Sequence, residues 1–241
     1  MTKDELIRTI KEDLKVRKEI LAVKAVKVAP KGIPPYEGQA TPGMCALVGE
    51  ILKQGLVCYL TKENLPCFMA LTATGTCENL PRDEYLKFMI EENELYPMHK
   101  DADTVVSYYD TVDEFFKYPK VEGKGIVVGP LAKVDDPDLV LLFVTPHQAD
   151  ILNRVRGYFG DFTRGFGGLG GCIFNMRYSF LTDDPCFSTS DTAWRMFSGL
   201  NYDELTYTFP YQKLLAIAER IKPTADYVNG FLDMFKAEQS S

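Results

Sequence analysis

Two short stretches, Gly125 to Val128 and Leu139 to Val144, are apolar without interruption. Neither alternates in polarity and both are too short for a buried helix, so each reads as a strand covered on both faces. Such strands need helices on either side, and the chain supplies them. Thr145 precedes Pro146, and Ile151, Leu152 and Val155 follow on one face, the pattern of a capped helix with proline at its first position. At the N-terminus, Thr2 and Glu5 form a capping box ahead of Leu6, Ile7, Ile10 and Leu14. Patterning predicts further strands over Leu21–Val28, Leu56–Leu60, Thr104–Tyr108, Ile173–Phe180 and Glu204–Phe209. It predicts helices over Cys45–Lys53, Pro81–Glu92, Pro210–Ile221 and Thr224–Lys236, and one from Pro66 to Gly75. Thr111 with Glu114 reads as a second internal capping box, and the proline- and glycine-rich stretch Ala29–Gly43 as a loop. The expected fold class is α/β, with α+β as the alternative. It is a mixed sheet flanked by helices in a single domain over residues 1–241.

Weak internal similarity raises the question of two halves, 1–122 and 123–241, related by a pseudo-twofold. Lys27-Val28-Ala29-Pro30 compares with Phe143-Val144-Thr145-Pro146, and Leu60-Thr61 before Pro66-Cys67-Phe68 with Leu181-Thr182 before Pro185-Cys186-Phe187. Chance likeness of strand-turn words stands beside that reading. The charge balance, 27 Lys and Arg against 34 Asp and Glu, disfavours nucleic acid and anionic membrane surfaces as partners. No apolar run approaches the ~20 residues of a spanning helix, and Met1 to Glu5 opens no secretory signal, so the cytoplasm is the expected compartment. Oligomeric state is not legible.

The most conspicuous motif is the glycine-rich segment Arg164-Gly165-Phe166-Gly167-Gly168-Leu169-Gly170-Gly171-Cys172. Consecutive glycines let backbone amides approach an anion, and Arg164 would add a charge-assisted contact. The alternative is a tight crossing of backbones. Gly165, Gly167 and Gly170 satisfy a dinucleotide pattern only formally, since a helix precedes them and a strand-like run follows. Six cysteines contain no Cys-x-x-Cys, which argues against a zinc ribbon or a redox pair. Cys45 and Cys67 stand near expected helix starts, where the dipole lowers a thiol pKa, whereas Cys58 reads as core. Arg177 and Arg195 lie among apolar residues, and a buried arginine needs a carboxylate or a ligand. An internal ion pair is the plainer account of both.

The ordered set of features resembles the domain of unknown function 169 family, found in bacteria and archaea, many of them anaerobes. The set runs from a strand and proline loop to Cys45, through Gly55 and Tyr59-Leu60-Thr61 to Cys67. It continues through Val128-Gly129-Pro130-Leu131, Asp138-Leu139-Val140, Pro146-His147-Gln148-Ala149 and Gly171-Cys172 to Arg195, Asp203-Glu204-Leu205 and Pro210. The likeness spans Leu21 to Ile221. It implies that Cys45, Cys67 and Cys172 rank above Cys58, Cys77 and Cys186, and it names no reaction. Relatives carry a glycine near the arginine matched by Arg195, where this chain has Ala193-Trp194.

Three functional expectations follow. The first is a cytosolic protein whose Cys45, Cys67 and Cys172 ligate a metal, an iron–sulfur cluster above all, beside the glycine-rich loop, with His147 a further candidate ligand. The second is a non-catalytic module that holds an anionic small molecule through Gly165, Gly167, Gly168, Gly170, Gly171, Arg164 and Arg195, with Arg177 a further candidate. The third is a thiol enzyme using Cys172 as nucleophile.

Overall fold

The computed structural model describes residues 1–37, 43–65, 67, 70, 82–87, 90, 100–116, 125–167 and 175–239. Seven strands among them form one sheet: β1 (Leu21–Val26), β2 (Cys58–Leu60), β3 (Gly125–Pro130), β4 (Leu139–Val144), β5 (Gly165–Gly167), β6 (Cys186–Ser188) and β7 (Leu205–Pro210). Their order is β2-β3-β1-β4-β7-β6-β5. The first six pair antiparallel, and β5 joins β6 in parallel at the edge. Register is set by alternation: Leu21 faces Pro130 and Leu141, Leu139 faces Pro210, and Cys186 faces Thr208.

Nine helices among the described residues surround the sheet: α1 (Lys3–Arg8, continued by a wider turn over Thr9–Asp13), α2 (Met44–Gln54), α3 (Arg82–Lys87), α4 (Ala102–Phe116), α5 (Pro146–Tyr158), α6 (Arg177–Thr182), α7 (Thr192–Ser198), α8 (Tyr211–Ile217) and α9 (Ile221–Gln239). The mixed α/β class is as expected. Because successive side chains leave a strand on opposite faces, each strand serves two cores. Leu21, Val23, Ile126, Val128, Leu139, Leu141 and Phe143 pack with α2, Met176 and Trp194. Ala22, Val127, Val140, Leu142, Val144, Tyr207 and Phe209 pack with α1, α5, α8 and α9. β4 is buried along its whole length, as its uninterrupted apolarity requires. Both terminal capping signals form: Thr2 with Glu5, and Thr145 with Gln148.

Two predicted strands are helices. Thr104–Tyr108 lies inside α4, which Asp101 caps by accepting from the Thr104 amide at 2.9 Å and hydroxyl at 2.7 Å. Its valines and tyrosines favour a strand locally, but Val105 and Tyr109, four apart, are the buried pair, and that spacing is helical. Thr111 is accordingly no cap; its hydroxyl donates to the Ser107 carbonyl within the helix. The described part of Ile173–Phe180 is likewise helical, ending at Asp183 in a left-handed conformation. The glycine-rich stretch expected as loop contributes β5. Gly165 is required there by packing, since a Cβ would lie 2.6 Å from the Tyr178 ring and 2.9 Å from Cys186 Cβ. No helix among the described residues is long and apolar enough to cross a membrane.

Candidate functional site

Cys45 and Cys67 lie at the start of α2. Helices α2 and α7 cross closely because residue 49 is glycine; a methyl there would run into the Phe197 carbonyl. That crossing brings the N-cap of α7, Asp191, near the start of α2. Asp191 accepts from the Trp194 amide at 2.7 Å. Cys45 is half-buried in the first turn of α2, and Cys67 packs beneath Gly43, where a Cβ would stand 3.3 Å from Cys67 Sγ. Burial pushes the Cys45 thiol up to about 12, and the Asp191 carboxylate and Cys67 add to the shift. The expectation of a thiol acidified by the helix dipole is therefore reversed at Cys45: desolvation outweighs half a charge at the helix end.

Folding thus brings Cys45 and Cys67 together, while Cys172 lies outside the described residues. No group of three or more His, Cys, Asp or Glu side chains among those residues is arranged to hold a metal ion. His147 is exposed and bonds Asn229 at 2.9 Å. Cys58 is core, as expected, its thiol pushed up to about 11 by burial. Cys186 is buried and donates to Asn175 Oδ1 at 3.7 Å.

The arginines separate sharply. Arg164 is exposed and paired with Asp184 at 3.1 Å and Asp161 at 3.5 Å, its guanidinium over the Phe162 ring. Asp184 also receives Arg156 at 3.4 Å and Lys213 at 3.5 Å. Arg195 donates to the carbonyls of Asn201, Glu204 and Thr189, bracing the turn after α7. Both are thus engaged within the chain. Gly165 and Gly167 belong to β5, and Gly168, Gly170 and Gly171 lie outside the described residues.

Arg177 differs. Along the inner face of the sheet, apolar β4 gives way to polar β7 and β6: Phe143 faces Thr206 and Leu141 faces Thr208, which face Ser188 and Cys186 in turn. All of these are buried. Part of this layer is satisfied. Trp194 Nε1 donates to Thr206 Oγ1 at 3.0 Å, Ser190 Oγ shares the same hydroxyl at 2.8 Å, and Asn175 Nδ2 donates to the Thr206 carbonyl at 2.8 Å. The rest is not. Arg177, 1% exposed, has no hydrogen-bond partner for Nε or Nη1, and Ser179 Oγ on the same helix and Thr208 Oγ1 on the strand beneath are also unbonded. Desolvation lowers the Arg177 pKa, the mark of a cation placed where its charge is costly. The other fully buried cation among the described residues, Arg156, is paired with Asp161 and Asp184.

Sequence reasoning singled out Arg177 but put it on a strand. It missed Asp191, Ser179 and Thr208. Only the inward threonines of Leu205–Pro210, opposite an otherwise apolar face, offered a signal.

No curated protein matches this chain, and no solved structure matches it. A family model does match, over residues 9–220: the uncharacterised ArCR family, DUF169. With most of its length covered by that model, the chain belongs to the DUF169 family.

Proposed function

We propose that this protein is a binding module for an anionic small molecule, anchored by Arg177 at the polar end of the inner sheet face. The observation that carries the reading is the buried guanidinium with unbonded nitrogens. An unpaired cation in a protein interior costs several kcal/mol, and an arriving anion offsets that cost. Arg164 and Arg195 are already engaged, with Asp161 and Asp184 and with backbone carbonyls, and are not assigned to the ligand. The acidic charge balance fits a small-molecule partner in the cytoplasm better than nucleic acid or an anionic membrane. The test is a thermal-shift screen over anionic metabolites with wild type and Arg177→Met. A midpoint rise seen only in wild type supports the reading; no rise, or the same rise in both, ends it.

A second reading rests on the juxtaposition of Cys45 and Cys67. With Cys172 they would form a thiolate set suited to an iron–sulfur cluster or another soft metal. Such a metal would have to displace the proton that burial holds on Cys45. Anaerobic purification followed by visible absorption and metal analysis decides it. Colourless protein without stoichiometric metal removes this reading and leaves the first intact.

A further inference from the structure

Resting on the anion-binding reading above, we infer that the group received by Arg177 is a carboxylate, the single charged end of a small organic acid with an apolar body. Charge balance comes first. Among the described residues Arg177 is the fully buried cation without a partner, so the site offers one positive charge. A phosphate monoester carries about −1.5 to −2 at neutral pH. Placed against one guanidinium away from water, it would leave negative charge uncompensated, which is as costly as the unpaired arginine. A carboxylate brings one charge and makes a neutral pair.

The donor inventory agrees. Arg177 offers Nε–H and the two N–H bonds of Nη1, while the Ser179 and Thr208 hydroxyls are free to donate. A carboxylate accepts two N–H bonds from a guanidinium, and the unbonded Nε and Nη1 of Arg177 can supply them. The surroundings fix the remainder of the ligand. Met176 precedes Arg177 and Phe180 lies one turn beyond it, and both belong to the apolar cluster with Phe143 and Trp194. A second polar end would find no such welcome there. At 1% exposure the guanidinium is closed off from solvent, so the probes are given prolonged incubation.

The experiment incubates the full chain overnight with acetate, butyrate, benzoate, inorganic phosphate or chloride at matched ionic strength. Thermal midpoints are then read for wild type, Arg177→Met, Arg177→Lys and Ser179→Ala. The expected result is stabilisation of wild type by carboxylates above phosphate and chloride, growing from acetate to butyrate and benzoate. It is abolished in Arg177→Met, whose ligand-free midpoint exceeds that of wild type. Lysine, a point charge without the fork, weakens carboxylate binding by at least about tenfold. Should Arg177→Met not fold, the Lys and Ala variants carry the same comparison. Arg177-dependent stabilisation that is larger with phosphate overturns the carboxylate assignment and spares the anion-binding reading. No stabilisation by any anion, or stabilisation indifferent to residues 177 and 179, overturns both.

Discussion

Cys45 stands in the first turn of a helix, a position that ordinarily draws a thiol toward its thiolate. Its surroundings act the other way and hold it protonated, with a pKa near 12. At pH 8 its alkylation by iodoacetamide should therefore run on the order of a thousandfold slower than that of an unperturbed cysteine. Mass spectrometry of the Cys45 peptide over time measures this, and a rate equal to a free thiol would contradict the burial described here. The helix start was legible because it is local. Asp191 was not, because a carboxylate from a distant part of the chain reaches Cys45 only through the α2–α7 crossing. Arg177 was legible as an anomaly of polarity, whereas its lack of a partner is a property of the packed interior alone.

At the level of elements, what was readable was what neighbouring residues decide. The Thr2–Glu5 and Thr145–Gln148 caps close over three residues, and β4 announces itself by unbroken apolarity. The misread segments, Thr104–Tyr108 and the described part of Ile173–Phe180, have strand-like composition, and tertiary burial chose the helix. Thr145→Ala should cost about 1 kcal/mol by removing the cap of α5, read as a lowered urea midpoint with unchanged slope. Gly49→Ala should cost more, about 1–3 kcal/mol, because its methyl forces α2 from α7. The same change should quicken alkylation of Cys45 as Asp191 withdraws. Gly157 has open space around a built Cβ. Gly157→Ala should be neutral or stabilising by up to about 1 kcal/mol, showing that the penalty at 49 belongs to the crossing.

Across the whole molecule, Cys45, Cys58 and Tyr207 are the described acids that desolvation shifts furthest upward. Burial raises Cys45 to about 12, Cys58 to about 11 and Tyr207 to about 12, the last despite its hydrogen bonds to Thr163 and Asn153. Each folded-state pKa exceeds its unfolded value, so the neutral form is the one the fold favours. Their stabilising contribution is complete below about pH 8.5, the ordinary cysteine range, and is lost as pH rises toward 11 to 12. Urea midpoints should hold level to pH 8 and decline steadily from pH 9 upward; a midpoint unchanged at pH 10.5 would count against the burial of these groups. β1 lies between β3 and β4, so separating residues 1–122 from 123–241 strips β1 of both neighbours. Expressed alone, neither segment should give a cooperative thermal transition, and co-expression should restore one.

That placement of β1 also bears on biosynthesis. The strand emerges from the ribosome roughly 100 residues ahead of β3, an interval of about 5–20 s at ordinary elongation rates. For that interval Leu21 and Val23 have no sheet to join, and the nascent chain presents an open apolar edge to whatever shields it. Codons that slow translation between the two strands would lengthen the exposure and lower the yield of folded protein without altering a single amino acid.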